Sequence, residues 1–170
     1  MKAQFILIAL LINFQLLAQT IKVTDAEASV KFVFMDDDVT GVFSDFQFIG
    51  SVNLDDLANA DFSGSVAVET IDTNNWLRNG VLKRKYFKFK EFPRLYFKST
   101  EIRGNGREFL VRGLLTIKGV SKPVTLTFTK RPSSFYAGTM INAADFNINI
   151  HKENDRNMVQ IMINLPYTMH

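Results

Sequence analysis

The sequence predicts an all-β protein: an eight-stranded antiparallel barrel with one short helix in a long connection near 73–85. Three observations carry this expectation. Apolar and polar residues alternate over most of the chain, Gly/Asn-rich turns separate the alternating runs, and 170 residues include 16 Phe and no Cys. Period-two alternation marks strands with one buried face, and aromatic side chains suit such half-buried surfaces. Without cysteine there are no disulfides, zinc–thiolate sites or thiol chemistry, so packing and sheet hydrogen bonds must hold the fold.

The chain opens with Met1-Lys2, an apolar run from Phe5 to Leu17 interrupted by Asn13 and Gln15, and the small Ala18. This is the layout of a secretory signal peptide, and the run falls short of the roughly 20 apolar residues of a membrane-spanning helix. Residues 1–18 are expected to be removed, leaving 19–170 as one domain, soluble in the periplasm or secreted. The first strand follows from Ala28, Val30, Phe32 and Phe34, the second from Thr40 to Gly50, and the third from Phe62, Gly64, Val66 and Val68. Between Thr73 and Lys85 the rhythm changes: Trp76, Leu77, Val81 and Leu82 fall at helical spacing behind a cap at Thr73 or Asn74. Gly80 weakens that helix by about 1 kcal/mol relative to alanine, so one or two turns are expected.

Strands resume with Leu95, Phe97 and Ser99, then Phe109 to Ile117, Val124 to Phe128, Phe135 to Ile150, and Val159 to Leu165. Gly104-Asn105-Gly106 signals a hairpin, and Gly119 to Pro123 a second tight turn. A β-sandwich fits the same pattern, but eight antiparallel strands also close into a barrel, which removes exposed edges. At that strand number the interior is filled by side chains or holds one small ligand. Gly41, Gly64 and Gly113 stand at strand positions where larger residues would fill space, which tilts the expectation toward a cavity.

Charge is segregated along the chain. Residues 19–77 carry two bases and eleven acids, a net charge of −9, whereas 78–103 carry nine bases and two acids, a net +7. The basic stretch reads either as a solvated face or as a patch attracting anionic membrane or a phosphate-bearing head group. Nucleic acid is a poor match, because the protein is expected to be exported and the whole chain is only +3. Catalysis finds little support. His151 and His170 are the only histidines, no G-x-S-x-G elbow is present, and Asp36-Asp37-Asp38 lacks calcium-loop spacing. No metal or cofactor is expected, and the protein is expected not to be an enzyme.

Two motifs carry a family resemblance. Thr73, Arg78, Leu82, Tyr86-Phe87, Phe92-Pro93 and Phe97-Lys98-Ser99-Thr100 fall in order between Thr73 and Ile102, and Gly113 to Val124 reads GLLTIKGVSKPV. Together with Val39-Thr40-Gly41-Val42-Phe43, these resemble the YceI-like family of polyisoprenoid-binding proteins over nearly all of the chain beyond the signal. The resemblance implies a lipocalin-like barrel whose long apolar cavity takes an isoprenoid chain. The chain departs from the family pattern at Asn79 (for aspartate), Val81 (for histidine), Ala143 (for arginine) and Asn147 (for glycine). The expected cavity lining is Phe32, Phe34, Phe43, Phe46, Trp76, Leu82, Phe87, Phe97, Phe128 and Phe146, with Arg78, Lys83 and Arg84 at a mouth that would meet a head group. The expected partner is an isoprenoid or other long-chain lipid (polyprenyl or quinone type), with transient contact at a membrane surface. The alternative is a non-catalytic module that docks a protein partner or membrane through its basic segment.

Overall fold

The computed structural model describes residues 21–169; the expected signal segment 1–18 lies outside them. Ten strands run in chain order: β1 (Ile21–Val23), β2 (Ser29–Phe34), β3 (Val39–Phe43), β4 (Phe46–Phe48), β5 (Gly64–Ala67), β6 (Arg94–Arg103), β7 (Glu108–Ile117), β8 (Val120–Lys130), β9 (Ser134–Asn142) and β10 (Met158–Met169). All pairings are antiparallel, in the order β3-β2-β10-β9-β8-β7-β6-β5-β4, with β1 added to the end of β10. The all-β barrel expectation holds, with ten strands instead of eight.

Two local features account for the difference. The run Thr40 to Gly50 splits into β3 and β4 because Asp45 takes a left-handed conformation (φ 50°), which ends an extended run. The other is β1, whose three residues are too few to show a period. The run Phe135 to Ile150 is also shorter than expected, because β9 stops at Asn142, whose side chain accepts from Ala144 N (2.9 Å) and starts a 3-10 turn.

β3 and β4 end the pairing order without pairing to each other, so this seam is where the barrel must close. The chain beyond β5 closes it. Val42 N donates to Asp72 O (2.8 Å), Asp72 N to Val42 O (3.0 Å), and Ser44 N to Thr70 Oγ1 (2.9 Å). Arg94 staples the same seam, donating to the Asp45 carboxylate (2.6 Å), the Asp45 carbonyl (2.7 Å) and Ser65 Oγ (2.9 Å). The tight turn near Gly119 is a two-residue hairpin. Lys118 (φ 53°) and Gly119 (φ 74°) occupy its centre, and pairing starts at Ile117 with Val120, so 120–123 belongs to β8. Two positive φ values in a two-residue loop match the right-handed strand twist, and glycine takes the second without strain.

The inward faces form two clusters. At one end Phe62, Phe109, Phe128, Phe135 and Tyr167 make a connected aromatic plug with centroid separations of 4.7–6.2 Å. Phe128 and Phe135 are completely buried within it. At the other end Phe43, Val66, Val68, Ile71, Leu82, Leu95, Ile117, Ile141 and Phe146 form the second cluster. There a short helix α1 (Trp76–Val81) passes into one π-type turn (Leu82–Tyr86). Its cap is Asn75, whose side chain accepts from Arg78 N (3.0 Å), one residue later than expected.

Candidate functional site: an apolar cavity inside the barrel

Between the plug and the α1 end lies a cavity of about 160 Å³. Val159, Ile161, Ile163 and Leu165 all line it, which at about 3.3 Å per residue makes it roughly 20 Å long beside β10. It is therefore long and narrow. Its floor is the upper side of the plug (Phe62, Phe128), and its far end is walled by Ile148, Ile150, Leu82 and Phe87. Ser65 and Tyr96 alone among the lining residues carry a polar side chain, and the Ser65 hydroxyl already accepts from Arg94 Nε. No charged residue lines the cavity, so it is suited to hydrocarbon and offers no partner for a buried charge.

Of the residues expected to line a cavity, Phe32, Phe34, Phe43, Phe46, Leu82, Phe87, Phe97 and Phe128 do so. Two do not. Trp76 is 80% exposed on α1, because the helix turns its polar side inward. Phe146 is 1% exposed and packs within the second cluster, away from the cavity wall. The lining also includes aliphatic residues that the expectation omitted: Val30, Ile71, Leu115, Ala143, Ile161 and Ile163. Val30 shares the period-two face of Phe32 and Phe34, and Ile161 and Ile163 share one with Val159 and Leu165, so all three were legible from that spacing.

The glycines act differently from the expectation. A Cβ on Gly41 would collide with the Phe32 ring and one on Gly113 with the Lys98 carbonyl and the Phe97 ring, while one on Gly64 would sit tightly, at 3.0 Å, against the Gln47 carbonyl and the Phe46 ring. Each glycine thus lies against a neighbouring aromatic ring, and at Gly41 and Gly113 that ring already takes the space a side chain would need. Phe32, Phe46 and Phe97 themselves line the cavity.

The expected mouth cations divide. Arg78 is structural: its Nε donates to Thr73 Oγ1 (2.8 Å) and its Nη2 to Thr73 O (2.9 Å). Thr73, itself buried, donates from its N and Oγ1 to Asn79 Oδ1 (2.9 and 2.7 Å), and Asn79 Nδ2 donates to Asp72 (2.9 Å). Asn79 thus accepts as a carboxylate would and adds a donor for Asp72. Lys83 and Arg84 lie beyond α1 outside the cavity, and the Arg84 guanidinium folds over Gly80. Asn147 takes φ 58° at the end of the 3-10 turn, the left-handed conformation that asparagine tolerates best after glycine. Ser99 of the Phe97–Thr100 motif also serves the scaffold: its hydroxyl donates to Asp61 (2.9 Å) and accepts from Phe62 N (3.1 Å) beside a β-bulge.

A charged cluster that the sequence spacing concealed ties the β2–β3 hairpin to the 143–157 segment. His151 Nε2 lies 2.9 Å from Asp37, Arg156 Nε donates to Asp36 (2.9 Å), and the His151 ring stacks on Phe34. Asp36, Asp37 and His151 stand close enough to share a cation, but Arg156 already supplies the positive charge. The hydrogen bond from Arg156 holds the Asp36 carboxyl below its ordinary 3.8. Hydrogen bonds from Asn79 and Asn74 do the same for Asp72, and Arg103 for Glu101. A carboxyl more acidic when folded than unfolded stabilises the fold above its unfolded pKa, and that contribution is lost as pH falls through the folded value. Acid titration followed by near-UV circular dichroism is therefore expected to show loss of structure starting below about pH 4. Because all three carboxyls are at the surface, high salt should shrink the effect.

Comparison with known proteins places this geometry. Residues 21–167 match the model of the YceI-like domain. A UPF0312 protein of Yersinia pestis is 42% identical over 89 residues, 51% of this chain and 45% of that protein. One of Photorhabdus laumondii is 37% identical over the same extent. The chain thus spans about half the length of the curated relatives it matches. Among solved structures, BcnA of Burkholderia cenocepacia superposes with a TM-score of 0.76 at 25% identity, over 85% of this chain and 98% of that one. A polyisoprenoid binding domain from Saccharophagus degradans, described as implicated in plant cell wall breakdown, superposes at 0.63 and 16% identity, over 90% and 99%.

Proposed function

The chain belongs to the YceI-like family, and from that premise we propose that it is an exported, non-catalytic carrier that sequesters the tail of an isoprenoid lipid, polyprenyl or quinone-type, in its barrel. The observation that carries the reading is the long cavity walled by hydrocarbon and free of charged residues. The polyisoprenoid-binding description of the Saccharophagus degradans neighbour supports it, as does the signal-like composition of residues 1–18.

The cavity also says what part of a lipid it suits. Apolar surface buried at about 25 cal/mol per Å² favours a hydrocarbon tail, whereas a charged head group would lose its hydration with nothing to replace it. Ala143, which lines the cavity, stands where the family resemblance expects arginine, so this wall lacks a cation the pattern would supply. The head group therefore stays outside the cavity.

At about 160 Å³ the resting space is close to that of an engineered apolar void of about 150 Å³ that admits benzene. A longer tail enters only as Phe32, Phe43 and Phe87 rotate away from it. To test the reading, the protein is expressed with its own residues 1–18 in a Gram-negative host, purified without detergent and extracted with organic solvent. Mass spectrometry of the extract is expected to show an isoprenoid in proportion to protein; repeated extracts without one would sink the proposal.

A further inference from the structure

Helix α1 is turned inside out. Its polar residues Arg78 and Asn79 face the protein, bonded to Thr73 and Asp72. Its apolar residues face water: Trp76 is 80% exposed, Leu77 60% and Val81 46%. A surface helix of a globular protein normally buries its apolar stripe, and clustered exposed apolar side chains mark an interaction surface. The surrounding charge is mainly basic, with Asp72 bonded to Asn79 and Glu91 3.7 Å from Lys88 as the acids that flank it in sequence. From Thr73 to Lys90 there are six bases and no acid, and Arg84, Lys85, Lys88 and Lys90 are exposed. The residues directly after α1 wall the cavity, Leu82 lining it and Phe87 meeting Phe43 edge-on at 6.0 Å.

We propose that α1 is a membrane-docking element. Trp76, Leu77 and Val81 enter the headgroup zone of an anionic bilayer, and the basic residues from Lys83 to Lys90 contact its phosphates. Tryptophan favours that zone, where one end of the ring system is apolar and the N–H stays wet. An interfacial helix combines an apolar face with flanking Lys and Arg, and this segment supplies both. Docking there sets the α1 end of the cavity against the bilayer. The inference deepens the carrier reading by naming the surface from which cargo is loaded or delivered, but its observations stand without any cargo.

The chain contains a single tryptophan, so intrinsic tryptophan fluorescence reports Trp76 alone. The protein is mixed at low salt with vesicles of equimolar phosphatidylglycerol and phosphatidylcholine, or of phosphatidylcholine only. On the anionic vesicles the emission is expected to shift to the blue, to be quenched by brominated acyl chains, and to return to that of free protein at high salt. Replacing Lys83, Arg84, Lys85 and Lys88 together with alanine is expected to weaken binding by at least about 100-fold. The pair Leu77→Ser and Val81→Ser, which keeps both charge and reporter, should remove the blue shift; both variants alter exposed or half-exposed side chains and are checked for native circular dichroism.

Emission unchanged by anionic vesicles would overturn the proposal, as would an equal shift on neutral ones. A blue-shifted emission without vesicles that reverts on dilution would also overturn it, since a second copy of the chain would then cover α1. Cargo is measured separately by solvent extraction. Docking without cargo would defeat the carrier reading alone, and cargo without docking would defeat this inference alone.

Discussion

Replacing Phe135 with alanine is expected to destabilise the protein by about 3–5 kcal/mol, the largest effect of any single truncation considered. Phe135 is completely buried and meets Phe62, Phe109, Phe128 and Tyr167 at centroid distances of 4.9–6.2 Å. The adjoining strands β7, β8, β9 and β10 hold Phe109, Phe128, Phe135 and Tyr167, so the plug cannot readily collapse onto the void and the cavity cost adds to the lost burial. Tyr167 is anchored as well, its hydroxyl donating to Arg131 O at 2.7 Å. Urea denaturation monitored by circular dichroism measures the change; a cost below about 1 kcal/mol would mean that the plug relaxes and is not rigid. Since the plug is the floor of the cavity, the variant should still bind cargo wherever it remains folded.

The second large effect is expected at Asn157, a buried polar residue on which the 143–157 segment depends. Its Oδ1 accepts from Ile150 N (2.9 Å) and His151 N (3.0 Å), and its Nδ2 donates to His151 O (3.0 Å) and Glu153 O (2.8 Å). Alanine would leave four backbone groups without these partners, for a cost of about 3 kcal/mol. The damage should concentrate in this segment, which includes the cavity-wall residues Ile148 and Ile150. Hydrogen exchange at the amides of Ile150 and His151 should accelerate strongly, while amides of the plug strands stay protected. Uniform acceleration across the barrel would show that Asn157 governs global stability instead. In either case Asn157→Asp, which buries an acceptor-only oxygen against the His151 and Glu153 carbonyls, should cost at least as much as Asn157→Ala.

The strands were legible because period two survives wherever one face is buried. Phe109–Ile117 and Val159–Leu165 lie where alternation puts them, within β7 and β10. The breaks were not legible. Asp45, Asn74, Lys88 and Lys118 all adopt positive φ; Asp and Asn signal that conformation only weakly, and the two lysines do not signal it at all. Asn147 is the instructive case: it looks like a loss of the family's glycine, yet it holds the same backbone conformation. Most of the aromatic lining was recovered because inward Phe residues follow the strand period. Trp76 was misplaced for a physical reason: helical spacing identifies an apolar face but not what that face meets. Its exposure became visible only when Arg78 and Asn79 were seen bonded to Thr73 and Asp72.

The proposed function places an isoprenoid tail in the charge-free cavity of this barrel. Native mass spectrometry of the wild type beside Ile161→Phe tests it most directly. Ile161 lies midway along the lining of β10, facing Phe32 across the β2–β10 ladder. A larger apolar side chain there fills the channel at a tolerable packing cost of about 1–3 kcal/mol. A wild-type population carrying an extra mass equal to the isoprenoid found by extraction is expected, and a folded variant at bare protein mass. Equal lipid adducts on both proteins, or a wild type bare after gentle purification from its expression host, would contradict it.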